Sequence, residues 1–346
     1  MKKKLQFTFS HQRLLDFIRK PPVESQTVLL LGVFLILAIF FSIKEEKFLT
    51  VRSVTSMGFQ LPELGVLTLA MMITIITGGI DLSVNAISNL AAVLSGFFMV
   101  KLMPENASSG QIALFIGIGL LIPISVGWLC GTINGFLVGR VGVPPILATL
   151  ATMTFFTGVS TGLTGGKTVT GFPEQLSLIG NETIAGIPVP FVTFVLLSIL
   201  MYLILYRTAF GFKVRMLGTN PVAANFSGID NRSILMRVYI ISGILSAVTG
   251  ILVMSRTMSA AIEYGSTTYV LLTILISVLA GVIPGFGNVI NVFITVIILQ
   301  MVSTGFHMLL LGVRGSSFFK DFSWGVLLIL IFIINYFMRG RASRES

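Results

Sequence analysis

The stretch Thr27-Val28-Leu29-Leu30-Leu31-Gly32-Val33-Phe34-Leu35-Ile36-Leu37-Ala38-Ile39-Phe40-Phe41-Ser42-Ile43 carries no charged side chain. A helix needs roughly 20 mostly apolar residues to cross a hydrocarbon core ~30 Å thick, and this run with its flanks meets that length. Val326 to Ile334, near the other terminus, is a second uncharged run. Between them apolar residues come in blocks, not in the two- or four-residue rhythm of a half-buried strand or helix. Over 346 residues, 54% are hydrophobic and 10% charged, against roughly a quarter charged in a soluble domain. The bilayer is therefore the solvent, and the expected fold class is all-α, a polytopic membrane protein with about ten transmembrane helices.

Charged and turn-rich breaks place the spans at Thr27–Ile43, Met57–Thr77, Ser83–Val100, Gln111–Gly139 and Val143–Leu163 in the first half. The second half offers Pro190–Tyr206, Val238–Met254, Thr268–Ile283, Asn288–Gly305 and Phe322–Met338. Glycines and a proline interrupt the long fourth span, which predicts a tilted or partly interfacial stretch there. With the N-terminus cytoplasmic, fifteen of the 23 Lys and Arg residues fall inside and eight outside. The reverse topology violates the positive-inside bias. Both termini are thus expected inside: segment 1–26, one membrane domain over 27–338 with a basic cytoplasmic loop at 207–237, and a tail at 339–346.

Composition also excludes several functions. The net charge of +10 would suggest nucleic acid in a soluble protein, but here it belongs to cytoplasmic loops and anionic lipid. Membrane lipid is an expected partner and nucleic acid is not. Cys130 is the only cysteine and cannot form an internal disulfide, and His11 and His307 are the only histidines, so no multi-histidine metal site is expected. A basic N-terminus before an apolar run resembles a secretory leader. The run is long for a leader core, however, and Lys44-Glu45-Glu46-Lys47 follows it without a small-residue cleavage site, so a retained first span is expected. Gly165-Gly166-Lys167-Thr168 resembles the end of a phosphate-binding loop, but Thr161 stands where the pattern needs glycine and no strand precedes it. No nucleotide site, catalytic set or metal site is expected in this chain.

Two segments carry chemistry. In Thr77-Gly78-Gly79-Ile80-Asp81-Leu82-Ser83-Val84, two glycines ease the exit from a helix, and Asp81 or Ser83 can cap the helix that restarts. A positive helix N-terminus stabilises the Asp81 charge, and capping is a stronger expectation than solute contact. Asn85, Ser88 and Asn89 then share one face of the next helix. Such a polar stripe faces protein or a water-filled path. Asp81, Ser83, Asn85, Ser88 and Asn89 are the candidate translocation residues, with packing between helices the alternative. A second glycine break, Pro284-Gly285-Phe286-Gly287, stands in a comparable place in the second half. It fits repeated transporter halves and a pair of ordinary turns equally well.

The second segment, Leu217-Gly218-Thr219-Asn220-Pro221-Val222-Ala223-Ala224-Asn225-Phe226-Ser227-Gly228-Ile229-Asp230, lies in the basic loop. Asn220 suits the N-cap, Pro221 the first helical position and Gly228 the residue past the end. This spells a two-turn helix, too short to stand alone in water. It is either an interfacial helix or a docking element for a cytoplasmic partner.

This segment and Thr77–Val84 together resemble the permeases of ribose-type importers of the ATP-binding-cassette class. Phe48-Leu49-Thr50, Ile146-Leu147-Ala148-Thr149-Leu150 and Arg207-Thr208-Ala209-Phe210-Gly211 fit the same family pattern, so the likeness runs from about Phe48 to Met338. The resemblance implies importer permease architecture in a bacterial inner membrane. It also implies a second permease subunit, like or unlike this one, cytoplasmic ATPase subunits that hold ATP and magnesium, and an extracytoplasmic solute-binding protein. Gly218, Asn220, Pro221, Ala223, Ala224 and Gly228 match the family's coupling element. Thr219, Asn225 and Phe226 depart from it, replacing a glycine, an arginine and an aliphatic residue. Thr219 and Phe226 are kept as coupling candidates by position.

The rival reading is an ion-coupled secondary transporter or channel, which needs ionisable groups deep in the membrane; only Glu63 and Asp81 qualify. A membrane enzyme would need a convergent acid, base or metal set, and none is present in the spans. Scarce membrane charge and the Asn/Ser/Thr stripe suit a neutral hydroxylated solute. By resemblance that solute is a monosaccharide, with autoinducer-2 or a nucleoside fitting the same features.

Overall fold

The computed structural model describes residues 25–104 and 106–310, with isolated positions at 322, 325, 326 and 329. The helices are α1 (Ser25–Lys44), α2 (Val51–Ile76), α3 (Val84–Leu102), α4 (Ser109–Phe136), α5 (Pro145–Thr164), α6 (Ser177–Asn181), α7 (Val189–Arg207), α8 (Ala209–Thr219), α9 (Pro221–Phe226), α10 (Asn231–Thr257), α11 (Ser266–Leu279) and α12 (Val289–Leu309). Two-residue strands form two small antiparallel pairs: β1 (Val169–Thr170) with β4 (Ser259–Ala260), and β2 (Thr183–Ile184) with β3 (Ile187–Pro188). Eight of these helices are long and apolar enough to cross a membrane, and the chain is a polytopic all-α membrane protein. The tenth expected span, Phe322–Met338, lies outside the described residues but for those isolated positions.

Burial separates a central set from a peripheral one. In the most apolar part of α2, 83% of residues are buried, against 17% in α1 and in α4. Helices α2, α3, α10 and α12 form the centre, while α1, α4, α5 and α7 turn apolar faces outward. Leu35, Ile36, Ile39 and Ile43 on α1 and Leu196, Ile199, Leu200 and Leu203 on α7 are exposed. A face of that kind is stable only against lipid.

Two expected spans differ in form. The glycines of the fourth do not interrupt it. Gly127, Gly131, Gly135 and Gly139 recur every four residues, and a Cβ on any of them would strike backbone or side chain of α10. Small residues at that spacing let two membrane helices approach backbone to backbone. The helix runs on into a π-helical turn, Leu137–Val141, that ends at Gly142 with φ +84°. The eighth span contracts to the 14 residues of α11. At 1.5 Å per residue it reaches only about 21 Å, because the chain turns at Gly281 (φ +77°) and Gly285 (φ +80°).

The ends of the bundle are distinct. At one, Gly139 packs on Arg232, and the Gly285 N–H donates to the Ile76 carbonyl at 2.8 Å, beside Gly218. At the other, β1 meets β4, Gly180 abuts Arg256, and Gly58 abuts Pro188. The basic loop 207–231 belongs to the first end, which is the end assigned inside by charge.

Candidate functional site

The break after α2 is a buried polar knot. Gly78 takes φ +86°, which an L side chain resists. One Asp81 carboxylate oxygen accepts from the Ser83 amide at 3.0 Å and the Ser83 hydroxyl at 2.6 Å; the other accepts from the Ser242 hydroxyl at 2.8 Å. Asn134 donates to Ser83 Oγ at 2.7 Å, and Thr152 donates to Asn134 Oδ1 at 2.7 Å. Asp81, Ser83 and Asn134 are fully buried. A buried carboxylate is tolerated when its lone pairs are satisfied in this way. The knot ties α3, α4, α5 and α10 to one point; Ser83 is the N-cap residue of α3 and makes no side-chain cap bond, so the expected cap gives way to a turn at Asp81–Ser83 anchored to Ser242.

A cavity of 690 Å³ opens along the C-terminal half of α5, within the range that small-molecule sites occupy. Of the five candidate translocation residues, Asn85 and Asn89 line it, while Asp81, Ser83 and Ser88 are buried outside its lining. Asn85 Nδ2 donates to the Tyr264 carbonyl at 2.8 Å; Asn89 Nδ2 donates to the Ile262 carbonyl at 2.9 Å and to that of Tyr264 at 3.1 Å. Sequence reasoning missed the facing wall: Thr154, Thr157 and Thr161 from α5, and Glu263 and Thr267 beyond α10. The Thr154 and Thr161 hydroxyl protons are spent on carbonyls four residues back, at 3.1 and 2.9 Å, so their oxygens are left as acceptors. Among the described residues, Glu263 is the one charged residue in the lining.

The coupling candidates form the expected short helix. Asn220 Oδ1 accepts from the Val222 and Ala223 amides at 3.0 Å each, Pro221 opens α9, and Gly228 (φ +79°) follows its end. The Ile229 amide closes back on the Ala224 carbonyl at 3.1 Å, a helix-ending pattern that uses orphan carbonyls. Ala224 is fully buried, whereas Phe226 is 90% and Val222 64% exposed, and Ala223 is exposed beside them. The small face of α9 is therefore divided: Ala224 seats the helix, and Val222, Ala223 and Phe226 point away from the chain.

Behind α9 the backbone is locked. A Cβ on Gly218 would strike the Ile76 carbonyl and the Gly285 amide, and a Cβ on Gly285 would strike the Thr219 hydroxyl. Thr219 Oγ1 donates to the Arg215 carbonyl at 3.0 Å, and the Tyr206 hydroxyl donates to the Gly287 carbonyl. The two glycine breaks thus meet at this point, and α8 bears on the end of α2. The contact places α8, which precedes α9, against the end of the helix that leads into the Asp81 knot.

Comparisons with known proteins agree with this architecture. The sequence pattern of a family described as "Branched-chain amino acid transport system / permease component" matches residues 54–335. The chain is 33% identical over 310 residues to the ribose import permease protein RbsC of Bacillus subtilis (strain 168), covering 88% of this chain and 91% of the relative. It is 28% identical over 278 residues to the autoinducer 2 import system permease protein LsrD of Yersinia enterocolitica, covering 78% and 79%. No solved structure matches it.

Proposed function

Since the chain belongs to the branched-chain amino acid transport system / permease component family, we propose that it carries a small neutral hydroxylated solute, best matched by a monosaccharide, through an ATP-binding-cassette importer. It is a multi-pass protein of the bacterial inner membrane and a transport component, not an enzyme.

The observation that carries the solute class is the lining of the 690 Å³ cavity. Threonine oxygens with their protons already engaged are acceptors, and a solute rich in hydroxyl donors satisfies them. A zwitterionic amino acid would need fixed charges of both signs, and among the described residues the lining holds only Glu263. An anion would meet that carboxylate with repulsion. The ribose and autoinducer 2 relatives favour the same class.

The partners follow from the family. A second permease subunit completes the pathway, cytoplasmic ATPase subunits hold ATP and magnesium, and a solute-binding protein docks outside. Closure of the ATPases pushes on α9. Gly218 and Thr219 pass the push to Ile76 and Gly285, and the helices rock between outward- and inward-open arrangements. An ion-coupled carrier gains nothing from an exposed apolar Phe226, whereas a docking element requires such a face.

The test is reconstitution in vesicles with the ATPase and binding protein, using labelled ribose as probe. Uptake that depends on ATP and on the binding protein is expected. Accumulation by this polypeptide alone on an ion gradient would overturn the reading.

A further inference from the structure

A second cavity, of 230 Å³, lies between α2, α10, α11 and α12, apart from the one described above. Glu63 of α2 and Arg256 of α10 form an ion pair there, with the Glu63 side chain 3% exposed. The Tyr264 hydroxyl donates to Glu63 Oε2 at 3.0 Å and accepts from Arg256 Nη2 at 2.8 Å. Tyr269 adds a longer contact to the same carboxylate oxygen, at 3.4 Å. A charge pair taken out of water costs several kcal/mol per ion unless its remaining hydrogen-bonding positions are filled, and here the two tyrosines fill them.

Tyr264 lines the smaller cavity and is bonded to two residues that line the larger one. Its hydroxyl sits on the Glu63–Arg256 pair, while its backbone carbonyl receives Asn85 and Asn89 at the wall of the larger cavity. The segment 258–265 therefore runs as a strap between the two spaces. Its ends are backbone turns: Met258 takes φ +51° and Gly265 φ +69°. The first is uncommon for a residue with a side chain. The second must remain glycine, because a Cβ there would strike the Tyr269 ring. β4, at the start of the strap, pairs with β1 over two residues, and Thr257 bonds to Ser259 beside it. The strap presents Ile262 and Glu263 to the larger cavity.

We propose that Glu63, Arg256 and Tyr264 are positioning residues for the solute cavity: they latch the strap from behind and so fix Ile262 and Glu263, which line that cavity, and the carbonyls that hold Asn85 and Asn89 in its wall. This deepens the reading given above and rests on it for the identity of the cavity. The latch explains why an ion pair is kept inside a membrane bundle without facing the larger cavity. It gives the strap an anchor that no single helix supplies.

The test separates the latch from the solute. Cys130 is buried and is the chain's only cysteine, so Ile262→Cys places one reporter on the strap. Its reaction with a water-soluble maleimide is followed in the reconstituted complex. Tyr264→Phe keeps the ring and removes the hydroxyl. It should speed labelling about tenfold, the fold-change that follows from losing a hydrogen bond to a charged group. In a chain that keeps Ile262, Tyr264→Phe should raise the KM for ribose several-fold with a smaller change in kcat. Glu63→Gln should do the same, and Arg256→Lys should fall between it and the natural chain. Unchanged labelling with Tyr264→Phe and Glu63→Gln, in complexes that assemble normally, would overturn the latch. If the natural chain carries no ribose, the solute reading fails, and the labelling rates still decide the strap.

Discussion

The helix at Pro221–Phe226 and the cavity along α5 use side chains in opposite ways. In α9 the ends are closed by Asn220, Gly228 and the Ile229 amide, with Asn231 donating to the Pro221 carbonyl, and the large side chains that point outward, Val222 and Phe226, are apolar. In the cavity apolar residues such as Met153, Ile262 and Val270 make most of the lining, and Asn85, Asn89 and the threonines of α5 set polar groups among them. An outward apolar face on a small, rigid helix needs a partner surface. Hydroxyls whose protons are engaged can accept from a donor-rich ligand. On the reading proposed above, the first region meets a macromolecule and the second a small solute. The rigid contact of Gly218 with Ile76 and Gly285 joins them.

That junction gives the largest predicted effect. Gly218→Val would drive its side chain into two backbone groups that cannot move independently, and overpacking of this kind costs about 1–3 kcal/mol even where neighbours can give. ATP-driven uptake in the reconstituted complex should fall to background. If uptake persists with a normal thermal unfolding profile, the two regions are not mechanically joined here. Phe226→Asp comes next. The ring is 90% exposed, so the permease itself should fold unchanged. Affinity for the ATPase subunit, measured by titration in detergent, should drop roughly 30-fold or more, as for an aromatic anchor at an interface. Full affinity would return α9 to the role of a helix lying on lipid. Ala224→Asp does not make this distinction, since Ala224 is buried in its own chain and the change would unseat the helix outright.

The cavity side of the comparison is sharpened by Thr157→Val. It removes one polar group at nearly constant volume from the wall of the proposed solute cavity. One lost hydrogen bond to a neutral group is worth about 1 kcal/mol, so the KM for ribose should rise roughly fivefold while ATPase binding stays as it was. An unaltered KM would move the solute elsewhere in the pathway.

What was legible in the sequence follows the same division. Helix α9 could be read residue by residue, because caps and C-terminal glycines act within four or five residues of chain. The spans were legible from apolar length alone, with ends shifted where polar residues extend a helix: α2 begins at Val51, six residues before the expected Met57, since Arg52 and Ser53 lie in its first turn. A helix restart at Asp81–Ser83 was readable, but the cap was not formed, and the second partner of Asp81, Ser242, lies 161 residues away. The cavity wall was not readable. Thr154, Thr157 and Thr161 look like ordinary membrane threonines bonded to the preceding turn, as Thr154 and Thr161 are, and only the placement of α5 against the strap makes a surface of them. Glu63 was legible as an ionisable residue inside the second span, but its pairing was not. It lies inside α2, and its partner Arg256 is 193 residues further on.

The smallest predicted effect concerns the back of the Asp81 knot, where the two regions are bridged. Tyr239 is fully buried, and its hydroxyl has no hydrogen-bond partner among the described residues. It packs against Gly79, where a Cβ would come within 2.7 Å of Tyr239 Oη. A buried hydroxyl without a partner is a cost to the fold, and deleting it removes that cost while leaving the ring in place. Tyr239→Phe should therefore raise stability by about 1 kcal/mol and leave uptake as it was. Thermal unfolding and transport measured together separate the two outcomes. A gain in stability with unchanged uptake means that the knot is only an anchor and that motion from α9 passes it without rearrangement. Loss of uptake in a well-folded variant means that the hydroxyl finds its partner in another arrangement of the break 77–83, and the break then belongs to the moving parts.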